Sequence, residues 1–414
     1  MWILTLPTRR KAVGAIARAA APALPRRANP DDRMGGVMDA EISRSTIPAG
    51  RPCWRVTGHE RIRTLLEDRR LDLNPDPKVA TQWYQDSPLH RVLIRMAARP
   101  IPEGGTDHEE RALRRATLSR MFAPTHLQRI TPEICRVADE LLDEMVARQP
   151  PADLTTDFSA PFCARAICEL LNLPAEDIAK FRDWVVDHEE RDMRRSLLGL
   201  KRLMSYVNTL IRDRREDPGD DMLSSLLATE EVDDAHAEMI PNIVAFLLGL
   251  GWQVPASAID YGVLLLTTHP DQLDLFRKDP SIRANAVEEV LRLFSSSSAA
   301  IGGLDRYANT DLDIDGITIH KGEMVLLDIP AGNRDSRVFD RPDEFDIRRS
   351  PNPHLTFGHG FYYCNFNKIA RAEVEIGLGA VIDRFPHLRL AVDPARLTYR
   401  DRPQTGVVSL PITW

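Results

Sequence analysis

The middle of this 414-residue chain contains a run of 21 residues without a charge, from Met239 to Ile259. A run of that length is long enough to cross a bilayer as a helix. However, it includes two prolines, an asparagine and a glutamine, and Asp260 follows it directly. An apolar helix of this kind in a large chain is typical of the buried central helix of a helical domain. We therefore predict a soluble protein without a membrane span, built around this helix.

Apolar residues recur at helical spacing through most of the chain. The predicted helices lie near residues 55–68, 88–98, 107–122, 130–148, 157–172, 176–188, 192–215, 219–229, 235–267, 270–277, 280–294 and 366–384. Strand signals concentrate in "LDIDGITIHKGEMVLLDI", which alternates around the turn pair Asp315-Gly316 and predicts a hairpin. Short strands near 51–57 and 387–412 would complete a small sheet. The sequence thus predicts one mainly α domain of the α+β class.

Composition and charge narrow the class of protein. The chain is 43% hydrophobic and 28% charged, as expected for a globular protein with a large core. A net charge of −7 argues against a nucleic-acid binder. Five cysteines at irregular spacing indicate a reducing compartment, the cytoplasm, and none of them belongs to a cluster with the spacing of a zinc site.

The N-terminal segment differs in composition from the rest. Its first 30 residues carry six Lys or Arg and no acidic residue. The order of charges does not match a secretory signal, because an apolar stretch precedes the basic residues. We predict that residues 1–38 are a disordered basic arm, or precede the true start, and that residues 39–414 form the folded domain.

A lone cysteine stands in the stretch "HLTFGHGFYYCNFNKIARAE", which covers residues 354–373. A turn with two glycines leads to Cys364, and a helical pattern follows it. A thiol at a helix N-terminus should have a depressed pKa and act as a nucleophile or an iron ligand. His354 and His359 are local candidate bases, and a buried structural cysteine is the third alternative. The glycines favour close approach to a flat cofactor.

The stretch "FGHGFYYC" followed by "IARAE" resembles the haem-binding loop of the cytochrome P450 family. Three further stretches resemble the same family: "EEVLR", which carries Glu289 and Arg292, the meander "AGNRDSRVFDRPDEFDI", and "DPGDDMLSSLLA". The resemblance runs in order from about residue 40 to the C-terminus. It implies the cytochrome P450 fold, with a long helix over haem b and a small β-rich part, and it implies that Cys364 ligates the iron.

The resemblance also implies the remaining haem contacts. Arg111 and Arg115, four residues apart on one helix face, and Arg306 would bind the propionates. The implied contacts from the loop are His354, Phe357, Gly358, Tyr362 and Phe366. Tyr362 stands where the family has His or Arg, and Arg111 at a histidine position is a hypothetical compensation. A buried Glu289–Arg292 pair would be structural, and the meander has Glu344 where the family has the arginine that joins this pair.

Two regions depart from the family pattern. The family commonly has Ala-Gly-x-Glu-Thr-Thr on the central helix, and this chain has Leu250, Gly251, Trp252, Gln253, Val254 and Pro255. We assign Gly251, Gln253, Val254 and Pro255 to the catalytic region. Gln253 has no carboxyl proton and Val254 has no hydroxyl, so the proton relay is missing both members. Pro255 predicts a kink, and Phe366 replaces a glycine that packs beneath the haem.

Three functions follow from this sequence. The first is monooxygenation of a small, apolar secondary metabolite, with electrons from a ferredoxin and ferredoxin reductase that dock on a basic patch of Arg114, Arg120 and Lys368. The second is haem-thiolate chemistry without the usual dioxygen activation, namely peroxygenation, dehydration, isomerisation or nitrogen-group transfer. The third is a catalytically silent haem-binding scaffold. The substrate pocket is expected to include Val254 and residues 85–105, 190–204 and 295–298.

Overall fold

The computed structural model describes residues 41–47, 50–72, 124–174, 176–189, 193–219, 221–228, 234–294, 303–399 and 406–414. Helices dominate this part of the chain. They are α1 (His59–Glu67), α2 (Pro124–Arg148), α3 (Ala160–Leu171), α4 (Asp177–Glu189), α5 (Met193–Glu216), α6 (Met222–Leu227), α7 (Asp234–Phe246), α8 (Gln253–Thr268), α9 (Pro270–Lys278), α10 (Arg283–Leu293), α11 (Ile329–Gly332) and α12 (Asn367–Arg384). Two π-helical segments, Thr155–Ser159 and Leu247–Gly251, precede α3 and α8.

The described strands form three small sheets. They are β1 (Ile42–Thr46), β2 (Pro52–Val56), β3 (Leu71–Asp72), β4 (Ala152–Asp153), β5 (Leu304–Ala308), β6 (Leu312–Ile314), β7 (Ile317–Ile319), β8 (Met324–Leu327), β9 (Arg389–Leu390) and β10 (Pro411–Thr413). One sheet has the order β1-β2-β8-β5-β3, a second has the order β4-β10-β9, and β6 and β7 form a hairpin. The sheets are small beside the helical part, which agrees with the predicted α+β class.

The hairpin prediction is confirmed, and so are the helices predicted within the described residues, with two differences. Residues 55–56 belong to strand β2 and not to the first helix, and the helix predicted at 235–267 is divided at Leu247–Gly251. The helix predicted near 366–384 is α12, and the hairpin turns at Asp315 and Gly316, which have φ angles of 53° and 79°. Both residues occupy the left-handed region that such a two-residue turn requires. The helices predicted at 88–98 and 107–122, and the N-terminal arm, lie outside the described residues.

The uncharged run forms the centre of the helical core. The segment Ile240–Thr268 is long and apolar enough to cross a membrane by composition, but 76% of its apolar window is buried inside the fold. Its neighbours in the core come from α3, α5, α10 and α12. The segment is therefore a buried core helix, as the sequence predicts.

Close packing of α8 against α12 positions the cysteine loop. A Cβ atom at Gly377 of α12 would lie 2.6 Å from Cδ1 of Ile259, so a larger residue would force the Ile259 side chain to move. Because the cysteine loop leads directly into α12, the contact sets the loop's position relative to the central helix. The α-helical order of that helix breaks at Leu247–Gly251, close to the loop.

Candidate active site

The cysteine loop is held in shape by its own backbone. Cys364 donates its N–H to the Phe357 carbonyl at 2.7 Å, which closes the loop. Gly358 and Gly360 have positive φ angles of 75° and 57°, which side-chain-bearing residues rarely adopt. All five cysteines of the chain are free, and the Cys364 residue is partly accessible. The loop thus presents one thiol at a fixed place.

The predicted low pKa of Cys364 is wrong for the protein chain by itself. Burial raises the pKa of the Cys364 thiol, although the Phe366 N–H and the Arg371 guanidinium act in the opposite direction. Helix α12 begins only at Asn367, so the effect of its dipole on the sulfur does not outweigh desolvation. A metal cation that binds the sulfur displaces this proton, so Cys364 would still act as a thiolate ligand.

A polar network behind the loop ties it to α10. Glu288 accepts hydrogen bonds from Arg371 at 2.6 and 3.0 Å and pairs with Nε2 of His354 at 2.9 Å. Arg371 also donates to Oδ1 of Asn367 at 2.9 Å and lies 4.3 Å from the centre of the Phe357 ring. The network therefore clamps both ends of the cysteine loop onto one carboxylate.

His354 takes part in this clamp with both ring nitrogens. Its Nδ1 accepts the Thr356 N–H at 3.3 Å, which leaves Nε2 to donate to Glu288. Its predicted contact with the haem remains a prediction. The structure gives His354 a positioning role on the loop. The nucleophile–base alternative has neither candidate base available, because Glu288 holds the His354 ring and Nε2 of His359 pairs with Glu67 at 3.1 Å.

Glu288 makes the clamp sensitive to pH. Burial disfavours its carboxylate, but His354 and Arg371 outweigh that effect and lower the pKa of Glu288 from 4.5 to about 2. Because the pKa in the folded state is lowered, the carboxylate stabilises the fold above about pH 4.5, and this contribution disappears as the pH falls towards 2. We expect Glu288→Gln to lower the free energy of unfolding by about 2 to 3 kcal/mol at pH 7.

The check is urea unfolding of both proteins at several pH values. The difference between wild type and Glu288→Gln should shrink steadily between pH 5 and pH 3. Asp143→Asn, which removes an exposed partner of Arg384, is a matched control with a much smaller effect. A difference that stays constant across this range would contradict the role assigned to Glu288.

The Glu289–Arg292 pair of α10 is completely buried, with 0% exposure of either side chain. Arg292 donates Nε and Nη2 to the two carboxylate oxygens of Glu289, both at 2.8 Å. Its Nη1 donates to the carbonyls of Asn333 and Pro342 at 2.8 and 2.6 Å. The pair thus ties α10 to the segment that precedes the cysteine loop.

Arg349 is the third member of this group. Its Nε donates to both oxygens of Glu289 at 3.1 and 3.2 Å. Glu344, at the position where the arginine was sought, contributes only its backbone carbonyl, which accepts from Arg292 and Arg349 at 3.1 and 3.2 Å. Its carboxylate instead pairs with Arg341 at the surface. The third partner of the Glu289–Arg292 pair, which the sequence left open, is therefore Arg349, five residues after Glu344.

Two polar side chains of the central helix form hydrogen bonds with backbone carbonyls of the π-helical segment. Gln253 is buried and donates Nε2 to the Gly249 carbonyl at 3.0 Å, and Trp252 donates Nε1 to the Leu248 carbonyl at 3.1 Å. Both carbonyls lie in the segment where α-helical hydrogen bonding is interrupted. Pro255 lies in the first turn of α8, where its missing N–H is tolerated. The predicted distortion is present, and Gln253 stabilises it.

One face of this helix stays open. Phe246 is 46% exposed, and Gly251 and Val254 are partly exposed, whereas Gln253 and every residue from Pro255 to Leu266 are buried. Phe246 contacts the cysteine loop, since its ring stacks on Phe366 with centroids 5.4 Å apart. Exposed apolar side chains beside a partly accessible thiol are suited to a flat, apolar cofactor whose iron takes a soft sulfur ligand.

The ring pair also limits where such a group can lie. A planar group between two stacked rings needs about 7 Å between them, because each contact takes roughly 3.5 Å. The Phe246 and Phe366 rings, at 5.4 Å, leave no such space. The two rings would therefore have to separate before a planar group could lie between them.

The other predicted haem contacts stand as follows. Arg306 lies on β5, is buried, and donates Nη1 to the Asp305 carbonyl at 2.7 Å. Tyr362 lies in a short 3₁₀ turn, Gly360–Tyr362. Arg111 and Arg115 lie outside the described residues. The propionate roles of the three arginines stay predictions.

Sequence reasoning missed Glu288, Asn367, Arg349 and Arg371 as functional residues. Glu288 and Arg371 lie within the quoted stretches "EEVLR" and "IARAE" but received no role there, and they are 83 positions apart. A pairing over that distance leaves no signal in a single sequence. Only the packing of α12 against α10 brings these side chains together.

Comparison with known proteins identifies the family. The sequence profile of the family described as Cytochrome P450 matches residues 282–408. Nocardicin C N-oxygenase of Nocardia uniformis subsp. tsuyamanensis is 31% identical, over 90% of this chain and 92% of that protein. The 20-oxo-5-O-mycaminosyltylactone 23-monooxygenase of Streptomyces fradiae is 32% identical, over 90% of this chain and 86% of that protein.

A solved structure shows the same architecture. The crystal structure of SgvP, a putative thioether synthase involved in the tailoring step of griseoviridin, matches with a TM-score of 0.76 and 30% identity. It covers 90% of this chain and 93% of that chain. Members of the family bind haem through a cysteine thiolate. With relatives matched over nine-tenths of its length and Cys364 at the ligand position, the chain belongs to the cytochrome P450 family and is a haem-thiolate oxidoreductase.

Proposed function

We propose that the protein is a monooxygenase that tailors a small or medium-sized apolar secondary metabolite in the cytoplasm. The observation that carries this proposal is the exposure of the apolar residues Phe246, Gly251 and Val254 on the central helix, of which Phe246 contacts Phe366 in the cysteine loop. Two relatives are named as an N-oxygenase and a monooxygenase, and the SgvP structure is described as part of a tailoring step. These names support tailoring chemistry in general and leave the substrate of this chain open.

The reaction consumes one dioxygen, two electrons and two protons. A C–H bond of the substrate becomes C–OH, and the second oxygen atom leaves as water. When bound, haem supplies the redox chemistry of this reaction. The chain's residues have to hold the substrate on the open face, exclude bulk water and deliver the two protons.

Proton delivery is the step for which this chain lacks the usual side chains. Gln253 has no acidic proton, and its amide is committed to the Gly249 carbonyl. Val254 faces the open side but has no hydroxyl. Ser257, buried one turn later on α8, is the nearest hydroxyl on this helix. We propose that ordered water, Ser257 or a hydroxyl of the substrate supplies the protons.

A ferredoxin and its reductase are the proposed electron donors. Lys368 is exposed in the first turn of α12, four residues after the thiolate ligand. Its companions in the predicted basic patch, Arg114 and Arg120, lie outside the described residues. An acidic carrier that docks there would have a short path to the haem, and its docking rate would fall as salt rises.

The test of this function uses the haem-loaded protein with ferredoxin, ferredoxin reductase and NADPH. Apolar metabolites are first screened for binding by the change they cause in the haem absorption band. A ligand that binds is then incubated under ¹⁸O₂, and we expect one ¹⁸O atom in the product. Product formed only with added hydrogen peroxide, without label from dioxygen, would overturn the proposal in favour of peroxygenation.

Val254→Thr tests whether the missing hydroxyl limits the reaction. Threonine has almost the same shape as valine and adds a hydroxyl on the open face. We expect product formed per NADPH consumed to rise about tenfold, less than the roughly hundredfold or more that a fully positioned proton donor contributes, with peroxide-driven turnover unchanged. Val254→Ala, which changes volume without a hydroxyl, is the control. An equal change in both assays would mean that the substitution acts only on substrate fit.

The second candidate is chemistry that needs no dioxygen. One observation favours it: the Gln253 amide is hydrogen-bonded to the Gly249 carbonyl in the π-helical segment, and Val254 has no proton to donate. Dehydration, isomerisation or nitrogen-group transfer from an N–O substrate would proceed without both relay groups. Turnover of a bound ligand under strict anaerobiosis, without NADPH, would favour this candidate. A silent scaffold, the third alternative, would show no turnover in either assay.

A further inference from the structure

A buried carboxylate joins the central helix to the chain that precedes α3. Asp260, on α8, is only 2% exposed. Its Oδ2 accepts a hydrogen bond from Oγ1 of Thr155 at 2.8 Å, and its Oδ1 accepts one from Oγ of Ser159 at 2.6 Å. These two hydroxyls stand at the first and last residues of the π-helical segment Thr155–Ser159. One side chain of the central helix thus holds both ends of that segment.

The residues directly before this π-helical segment bind the C-terminal strand. Strand β4 pairs with β10, and Leu154 donates its N–H to the Leu410 carbonyl at 3.0 Å. Oδ1 of Asp153 accepts the N–H of Leu410 at 2.8 Å, and the same oxygen accepts the N–H of Thr155 at 3.1 Å. A chain of hydrogen-bonded residues therefore runs from Asp260 through Thr155 and Asp153 to Leu410.

The residues before β10 lie on the central helix. We call residues 406–410 the C-terminal segment. A Cβ atom at Gly406 would lie 2.7 Å from Oγ and 3.0 Å from Cβ of Ser257, so the backbone of the C-terminal segment lies directly on α8 at this point. Ser257 follows the partly exposed Val254 by three residues, and residues at that spacing are neighbours on one helix face. The C-terminal segment thus borders the open face that we assign to substrate.

The C-terminal segment is connected to α8 at two places. Its backbone packs on Ser257, and the hydrogen-bonded chain connects it to Asp260, three residues further along the helix. Apolar contacts are not directional, so they hold the segment against the helix without fixing its position along it. Hydrogen bonds require a defined distance and angle. The bonds that end at Asp260 therefore determine where the C-terminal segment lies beside the open face.

We propose that Asp260 is a positioning residue for the substrate site. Through Thr155 and Asp153 it holds the C-terminal segment against α8, and it thereby sets the width of the site next to Val254. Asp260 is buried in the core and acts through these neighbours. The inference rests on the proposed function in one respect, namely that substrate binds at the open face of the central helix. Its consequence is selection of ligands by size.

The first test is hydrogen exchange, measured by mass spectrometry, on haem-loaded Thr155→Val and Thr155→Ser. Valine keeps the shape of threonine and removes the hydroxyl, whereas serine keeps the hydroxyl and removes a methyl group. We expect amides of the C-terminal segment to exchange about tenfold faster in Thr155→Val, as for the loss of one hydrogen bond to a charged group, with exchange in α12 unchanged. Thr155→Ser should match wild type. Unchanged exchange in Thr155→Val, or a larger effect of serine than of valine, would overturn the proposal.

The second test measures ligand binding through the shift of the haem absorption band. Imidazole is small enough to bind the iron without reaching the C-terminal segment, whereas the ring of 4-phenylimidazole extends further over the open face. We expect Thr155→Val to weaken 4-phenylimidazole about fourfold, which corresponds to one buried methylene group, and to leave imidazole unchanged. Faster exchange with an unchanged ratio of the two Kd values would refute the role in the substrate site. Neither readout needs turnover, so this failure is distinct from failure of the monooxygenase proposal, which the ¹⁸O₂ experiment decides.

Two further variants complete the test. In Asp260→Ala both hydroxyls lose this acceptor, and adding Thr155→Val should have no further effect, because one hydrogen bond can be removed only once. Effects that multiply would contradict the proposal, and if Asp260→Ala does not fold, the two Thr155 variants decide the question. Thr268→Val is the matched control, since Thr268 donates Oγ1 to the Leu264 carbonyl at 2.7 Å at the C-terminal end of α8. The same changes in Thr268→Val would show that any hydroxyl lost from the core loosens the C-terminal segment, and would refute a specific role for Asp260.

Discussion

Cys364→Ala is expected to remove the strongly red-shifted absorption band of the reduced carbon monoxide complex completely. The thiolate donates charge to the iron, and no other residue on the loop can replace that donation. The carbonyl hydrogen bond from the Cys364 N–H to Phe357 does not involve the side chain, so the loop should keep its shape. Loss of the band would therefore report ligation and not unfolding.

Cys135→Ala is the matched control for this experiment. Cys135 is an exposed thiol on α2, and its removal should leave the band at full intensity. Haem content of each protein is measured in parallel by extraction of the pigment. A Cys364→Ala protein that keeps the red-shifted band would contradict the assignment of the ligand.

Glu289→Gln is expected to have the second largest effect, a loss of about 3 to 5 kcal/mol in the free energy of unfolding. The carboxylate is fully buried between Arg292 and Arg349 and also accepts the Asp346 N–H at 3.1 Å and Nδ2 of Asn352 at 3.1 Å. Glutamine leaves two buried arginines without a counter-charge and turns an amide N–H₂ towards their donors. Haem-loaded protein should be scarce in such a variant.

Glu344→Gln is the control for this experiment. It removes one negative charge from the meander without changing a side chain that contacts Arg292 or Arg349. Glu344 contributes its backbone carbonyl to Arg292 and Arg349, and its carboxylate is exposed. We expect this variant to match wild type in urea unfolding and in haem content. A loss as large as that of Glu289→Gln would place the Glu344 carboxylate in the group after all and contradict the geometry described above.

Local patterns predicted most of the secondary structure, because these signals lie within short windows. The hairpin at Asp315-Gly316 and helix α12 are examples in which turn chemistry and apolar spacing decide the element. The central helix was predicted as one segment, 235–267, but the structure divides it at Leu247–Gly251. Apolar spacing cannot show a π-helical turn in a segment that is apolar on almost every side. Pro255 was the only signal of distortion.

The parts of the site that depend on the identity of residues at one position or within one helical turn could be predicted from the sequence. A lone cysteine in a glycine-rich loop, and an Glu-x-x-Arg pair one turn apart, resemble the family closely enough to assign ligand and ion pair. The pKa of Cys364 was not predictable in this way, because desolvation depends on what surrounds the sulfur in the fold. The depressed pKa inferred from the helix terminus alone was therefore wrong.

The sequence by itself determined the family, the ligand and the missing relay groups, since each rests on the identity of residues at one position or within one helical turn. Only the tertiary structure showed that Glu288 clamps the loop, that Arg349 completes the pair, and that Phe246 reaches Phe366. These contacts join residues 60 or more positions apart. Their geometry depends on how α7, α10 and α12 pack together, and a single sequence does not encode that packing in any local pattern.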